Sequence, residues 1–256
     1  MNKTPEIKAM RKRERLIRVL FVLSALIFVA LFIFACRTKT VTVEGNIYSP
    51  EENIVSAAAL KINGHIYSID KSAIENRIKA SNPYVISVAI RRRLPSTLRL
   101  IVTEDEPVFY SLIGNKFCVI SCSLRVLETA DSATDLSSRG LIPIILPETK
   151  SAEPGKKIVF AEDGSYTSNT ELINLIMSSE LAENITSVDI SRRFNINVMY
   201  KSKYTIVFGN AENLSKKINF CIKTIKYLEE NLPGVSGTIH AERSDETSFE
   251  ITGTAG

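Results

Sequence analysis

The chain has 256 residues, 45% hydrophobic, 23% charged and 7% aromatic, too apolar for a disordered chain and enough for one large domain or two small ones beside an anchor. Lys and Arg number 32 and Asp and Glu 28, for a net charge of +4, but seven of the cations (Lys3, Lys8, Arg11, Lys12, Arg13, Arg15, Arg18) crowd into residues 1–18 beside only Glu6 and Glu14. The basic balance therefore belongs to the tail and argues against a nucleic-acid surface on the nearly neutral body, while two histidines and four cysteines leave no His-rich metal centre to build.

Residues 19–36 are apolar apart from Ser24. As a helix they measure about 27 Å, close to the hydrocarbon thickness of a bilayer. A lone segment in lipid must satisfy its own backbone, which leaves the helix as its form. The cations before it outnumber Arg37 and Lys39 after it, so the positive-inside bias puts the N-terminus in the cytoplasm and the rest outside. A second reading is a lipoprotein signal, since Ile33-Phe34-Ala35-Cys36 loosely follows a lipobox. Bulky Phe34 and a run longer than a signal core favour an uncleaved anchor.

Beyond the anchor, Thr40–Gly45 alternates like a short strand. Ser49 as N-cap and Pro50 at N1 open a helix predicted to run to about Leu60, followed by a turn at Asn63-Gly64. A second helix starts near Asp70 or Ser72, with Glu75 placed as a capping-box partner of Ser72, and ends at Asn82-Pro83. Val85–Ile90 and Leu98–Val102 form a hairpin around Arg91-Arg92-Arg93-Leu94-Pro95-Ser96. The order is β-α-α-β-β. Past Pro107 the chain turns mostly to strand: Val108–Ile113, Phe117–Ile120, Leu124–Leu127, then Leu141–Leu146, which Pro143 demotes to a sheet edge or an extended stretch. A helix is expected over Thr170–Leu181. A hairpin follows, Phe194–Tyr200 with Tyr204–Phe208, led in by Val188–Ile190. Leu214, Ile218, Cys221, Ile222, Ile225 and Leu228 mark a helical stripe with Lys216, Lys217, Lys223 and Lys226 on other faces. Gly237–Ala241 and Ser248–Ile251 close the sheet. The fold class is α+β: one transmembrane helix, a β-α-α-β-β domain and a mostly antiparallel β-domain with packed helices.

Little here suggests catalysis, and no catalytic, cofactor-binding or metal-binding residue is assigned. His65 and His240 are 175 positions apart without ligand neighbours and read as ordinary turn and strand histidines. Cys118 and Cys122 are close enough in sequence for one disulfide, and Cys221 belongs to the apolar stripe. Glu104-Asp105-Glu106 alternates faces and is expected mostly to meet water, not to act as a carboxylate pair. Arg91-Arg92-Arg93 reads as a solvated turn, less often as a contact to an anionic group such as a lipid headgroup. Common NTPase and serine-hydrolase motifs are missing from the sequence, and neither a cofactor nor a small-molecule substrate is expected.

The layout resembles the bacterial division family FtsQ/DivIB, which joins a basic cytoplasmic tail, one span, a POTRA domain and a β-domain. Val41-Thr42-Val43-Glu44-Gly45-Asn46 looks like the opening V-x-V-x-G-N strand, and Asn82-Pro83-Tyr84-Val85 like the P-[WY]-V turn. Arg92-Arg93-Leu94-Pro95-Ser96-Thr97-Leu98, with Val102-Thr103-Glu104 and Glu106-Pro107, resembles the R-x-x-P-x-T-L…V-x-E-x-x-P hairpin. Pro154-Gly155, Asp189-Ile190, Phe208-Gly209, Leu214 and Lys217 fit the β-domain more loosely. The resemblance divides the chain into a tail (1–18), a span (19–36), a POTRA domain (40–107), a β-domain (108–251) and a short tail (252–256).

The same resemblance implies a non-enzymatic scaffold at the division septum, linking early and late division proteins and helping control septal peptidoglycan synthesis. Its implied partners are small bitopic coiled-coil division proteins (FtsB/DivIC-like and FtsL-like), other divisome components and the membrane. A partner strand would extend the sheet at Thr247, Ser248, Phe249, Glu250 and Ile251, while Arg192, Arg193 and Phe194 resemble an Arg-Arg-x-aromatic stretch that meets a partner acid. His240 and Ala241-Glu242-Arg243 depart from the usual Asp and apolar-Arg-aromatic. Two alternatives stand beside this reading: a lipid-anchored outer-surface protein, and an envelope assembly or secretion component carrying a POTRA domain.

Overall fold

The computed structural model describes residues 4–162 and 165–254, with side chains described for 13–162 and 167–253. Lys3 of the basic tail, the side chains of Lys8, Arg11 and Lys12, and residues 255–256 lie outside the described residues. The chain divides into two compact units, Met1–Glu104 and Asp105–Gly256.

The first unit opens with helix α1, Thr4–Ala35, of which Arg13–Ala35 is long and apolar enough to cross a membrane. The apolar side chains of Arg13–Ala35, among them Phe21, Phe28 and Phe34, are exposed. Strand β1 (Thr40–Glu44), helices α2 (Glu51–Ala58) and α3 (Lys71–Ser81), and strands β2 (Val85–Arg93) and β3 (Thr97–Glu104) follow. The sheet order is β1-β3-β2, with β1 parallel to β3. Ile54 and Ala58 of α2 and Ile74 and Ile78 of α3 pack on Val88, Ile90, Leu98, Leu100 and Val102. Burying each of the larger side chains contributes roughly 1.5–3 kcal/mol. Cys36, just past α1, is buried in this same core.

Two capping expectations change. The cap of α2 is Pro50, without a side-chain bond, because Ser49 is drawn away: its N–H donates to Glu104. Helix α3 is capped by Asp70, which accepts from Ala73 N–H at 3.1 Å, and Glu75 instead pairs with Lys79 at 2.9 Å.

The second unit is a nine-stranded sheet in the order β14-β13-β12-β11-β10-β7-β4-β5-β6. Its strands are β4 (Phe109–Ile113), β5 (Lys116–Ile120), β6 (Val126–Ala130), β7 (Ile142–Ile145), β10 (Ile185–Asp189), β11 (Ile196–Tyr200), β12 (Tyr204–Gly209), β13 (Val235–His240) and β14 (Ser248–Thr254). A short ribbon pairs β8 (Thr149–Ser151) with β9 (Val159–Phe160). Helix α4 (Ala133–Ser138) was not anticipated; α5 (Ser165–Met177) starts and ends earlier than expected, and α6 (Leu214–Asn231) carries the anticipated stripe. Five strand pairs in the large sheet are antiparallel and three parallel, in keeping with the expected α+β class.

Strand β7 overturns its reading as an edge, for it lies between β4 and β10. Proline is tolerated there because Ile142 N–H makes the bond to β4, through Val108 O. Pro143 faces the other side, where pairing with β10 begins only at Ile144, so its missing donor costs no ladder bond. Lys217 is the second correction. It is not on a polar face of α6 but 2% exposed, donating from Nζ to Phe208 O, Asn210 O and Asn210 Oδ1 at 2.8, 3.0 and 2.8 Å. Burial lowers its pKa, while Glu212 and Glu242 work in the other direction.

Candidate partner-binding surface

The expected dock falls on the last strand of the large sheet except for Thr247, which lies one residue before β14 begins. Strand β14 pairs antiparallel with β13, Ile239 opposite Phe249 and Gly237 opposite Ile251, and among the described residues no strand lies on its other side. The opposite edge differs. There the start of β6 is covered, since Val126 N–H donates to Lys156 O and Gly155 N–H to Val126 O. An uncovered edge offers a row of main-chain donors and acceptors, and β14 carries neither the Lys nor the Pro that commonly blunts one.

Its side chains are held in distinct ways. Thr247 shares a 2.7 Å hydroxyl bond with Thr224 of α6. Phe249 is half-buried against the core, edge-on to Tyr204 with centroids 6.1 Å apart. Ile251 is 57% exposed, and Ser248 and Glu250 are exposed. His240 lies between two carboxylates, Nδ1 3.3 Å from Glu242 Oε1 and Nε2 3.5 Å from Glu250 Oε2. Its pKa is raised, first by Glu242; burial opposes the shift, and Glu250 adds to it.

Arg192, Arg193 and Phe194 occupy the loop from β10 to β11. Ile196 of β11 lies opposite Gly209 of β12, and β12 runs parallel to β13, so this loop shares the sheet end at which β14 begins. Two strands separate β11 from β14, a lateral step of about 14 Å. Phe194 is 74% exposed with the Arg193 guanidinium 5.7 Å from its ring centre. Arg192, Arg193 and Phe194 border a cleft of about 290 Å³ that also touches Asn169, Asn210 and Glu212. Asn169 Nδ2 is buried there without a hydrogen-bond partner, an unspent donor beside two cations. Neither Asn169 nor the Lys217 clamp, which fixes Phe208–Asn210 at this end, was found from the sequence. A lysine in an amphipathic helix gives no local sign that strand carbonyls await it.

The other candidates stay apart. His65 lies in the first unit and bridges to Arg37 through its backbone. All four cysteines are free thiols, so the disulfide left open for Cys118 and Cys122 is not formed here. Burial, then Asp105 and Glu106, push the Cys122 thiol up to about 11, and burial pushes Cys221 up to about 12, far from nucleophile chemistry at neutral pH. Among the described residues no three His, Cys, Asp or Glu side chains gather at metal-binding range.

Glu104 does not mostly meet water as expected. Its carboxylate accepts from the N–H groups of Ile47, Tyr48 and Ser49 at 2.6, 2.7 and 2.9 Å, closing the loop after Gly45. That glycine has φ +83 and would drive a Cβ into Val102 O. Burial raises the Glu104 pKa, but the bonds from Ser49, Tyr48 and Ile47 outweigh it and the net shift is downward. A depressed folded pKa stabilises above the unfolded value, near 4.3, and the gain is lost as pH falls through the folded value. Glu104→Gln is therefore expected to cost about 2 kcal/mol at pH 7 and progressively less below about pH 4. The check is hydrogen exchange at Tyr48 and Ser49 in variant and native chain at each pH. An equal difference at pH 3 and pH 7 would sink the carboxylate's role.

A β-α-α-β-β unit behind a helix long and apolar enough to cross a membrane, followed by a nine-stranded sheet whose last strand has no outer neighbour among the described residues, defines a POTRA protein with a β-domain. Residues 36–105 match the POTRA domain, FtsQ-type. The chain is 28% identical over 225 residues to the cell division protein DivIB of Clostridium botulinum strain Hall, covering 86% of this chain and 85% of that one. DivIB of Clostridium acetobutylicum is 28% identical over 73% of this chain and 72% of its own. The cell division protein FtsQ of Streptomyces venezuelae is 31% identical over 38% and 36%. In keeping with the sequence-based resemblance, the chain carries an FtsQ-type POTRA domain and is similar to the DivIB and FtsQ cell division proteins.

Proposed function

We propose that the chain is a non-enzymatic scaffold of the bacterial division machinery, anchored by α1 with its N-terminus in the cytoplasm and working at the septum. It links early and late division proteins through contacts of its outer part and thereby helps control septal peptidoglycan synthesis. Its direct partners are small bitopic coiled-coil proteins, FtsB/DivIC-like and FtsL-like. One of them adds a strand along Thr247–Ile251 while an acidic residue of the same partner meets Arg192 or Arg193 beside Phe194. The observation that carries this is the difference between the two sheet edges: β6 is covered at its start, and among the described residues nothing pairs with the outer side of β14. Supporting it are relatives named as cell division proteins over most of the chain, and the burial of Cys36 in the core of the first unit, which leaves its thiol no room for a lipid.

The test is in-cell crosslinking and capture with the full chain beside a version ending at Ser244. Recovery of small single-span coiled-coil proteins by the first alone supports both scaffold and dock. Recovery by both moves the dock away from β14. If neither captures a division protein, the scaffold reading falls.

A further inference from the structure

The segments nearest the end of α1 are hydrogen-bonded into one patch. Thr38 N–H donates to Gly64 O at 2.9 Å, Asn63 N–H to Thr38 O at 2.8 Å, Ile66 N–H to Cys36 O at 3.1 Å and Lys39 N–H to Ser96 O at 2.8 Å. Cys36 N–H still donates to Phe32 O, 3.0 Å away inside α1, so the helix passes into this patch without a spacer. Residues 37–39, 61–67 and 91–96 thus meet at the end of the unit where α1 stops.

Their composition is one-sided. Arg37, Lys39, Lys61, Arg91, Arg92 and Arg93 fall in these segments, and none of the three contains Asp or Glu. Arg92 is a strut, its Nε donating to Ile66 O at 2.8 Å. Arg91 stands opposite Arg99 across the β2–β3 hairpin, a like-charge pairing that destabilises a sheet. Glu44 pairs with Arg99, whereas no ion pair among the described residues reaches Arg91, Arg93, Lys39 or Lys61. Interleaved with these cations are exposed apolar groups: Ile62 at 74%, Leu94 at 50% and Tyr67 at 50%. A solvated turn accounts for the arginines but not for large apolar side chains among them. Cations, an aromatic and aliphatic tips at the level where an apolar helix ends are the composition of a bilayer interface.

We propose that this patch is a collar that docks on anionic phospholipid headgroups of the bilayer that α1 spans. Arg91, Arg93, Lys39 and Lys61 meet the phosphates, Ile62 and Leu94 enter the interface, and Tyr67 lies at headgroup depth. The inference rests on α1 being an uncleaved anchor, and it fixes how the POTRA unit stands on the membrane.

The chain contains no tryptophan, so a single one reports alone. Full-length Ile62→Trp, Leu94→Trp and, at the far end of β1, Ile47→Trp chains are placed in phosphatidylcholine vesicles with phosphatidylglycerol, one lipid or the other brominated. Brominated phosphatidylglycerol is expected to quench positions 62 and 94 about twofold or more while leaving 47 unchanged, since each surface cation confers roughly a fivefold preference for anionic lipid. Arg91→Ser with Arg93→Ser is expected to remove that preference. Equal quenching by both lipids, equal quenching at all three positions, or no effect of the double substitution overturns the collar. Shielding of positions 62 and 94 only when another protein is bound, without lipid quenching, assigns the patch to that protein and also overturns it. Release of the full chain by alkaline carbonate instead refutes the anchor, and the collar with it, which separates the two failures.

Discussion

Gly237→Val is expected to peel β14 from the sheet while the remaining strands stay folded, with capture of the strand-adding partner falling to background. A Cβ at position 237 runs into Glu250 O and lies 2.8 Å from two atoms of the Phe249 ring. The conflict is with the backbone of the facing strand, so no rotamer relieves it. Glycine here lets the Phe249 ring lie over the β13 backbone and reach Tyr204. Overpacking of this kind costs about 1–3 kcal/mol. The measurement is hydrogen exchange at residues 248–254 beside capture of the partner. Phe249→Leu separates the causes, because it loses ring packing but keeps the strand seated. If Gly237→Val exchanges freely at β14 and still captures the partner, the dock lies elsewhere.

Lys217→Met is expected to destabilise the second unit by about 3 kcal/mol, with a matching fall in the urea midpoint followed by circular dichroism. Methionine fills the space of the lysine stem but leaves Phe208 O, Asn210 O and Asn210 Oδ1 without their donor. Unpaired buried acceptors are costly, and the removed charge is not a gain large enough to offset them. Those acceptors lie at the sheet end bearing the Arg192–Phe194 loop, so the same variant should loosen the cleft they border. An unchanged midpoint would mean that the amine is dispensable and that the lysine stem alone matters.

The elements that were legible in the sequence are those whose determinants are local. Asn82-Pro83 ended α3, and a two-residue period revealed β2 and β3. The period of Leu214, Ile218, Cys221, Ile222, Ile225 and Leu228 revealed α6, with all but the partly buried Ile222 fully in the core. The hairpin at Lys201-Ser202-Lys203 was read from its length, and both Lys201 and Ser202 take positive φ in the turn. Even the POTRA motif has a compact reason: Gly45 fits against Val102 and Glu104 holds the amides of Ile47, Tyr48 and Ser49, so V-x-V-x-G-N and V-x-E are two sides of one contact.

The departures from these expectations come from contacts between distant parts of the chain. Pro143 weighed against a central strand until the neighbour on its donor-free side proved to start one residue later. Lys217 looked like a surface charge because nothing in α6 announces three acceptors at the end of β12. Glu104 looked solvated because its donors lie more than 50 positions earlier. Ser49 lost its expected cap role to that same carboxylate.

By itself the sequence determined the apolar helix, the two-part organisation of the rest, the α+β class and the family resemblance, all of which follow from composition, period and short motifs. Tertiary structure alone decided that β14 lies at a sheet edge, that the Arg192–Phe194 loop shares its end with the start of β14, and that 37–39, 61–67 and 91–96 form one basic patch. Edges and shared ends depend on strand order, and strand order is set by contacts between residues far apart in the chain, where periodicity carries no information.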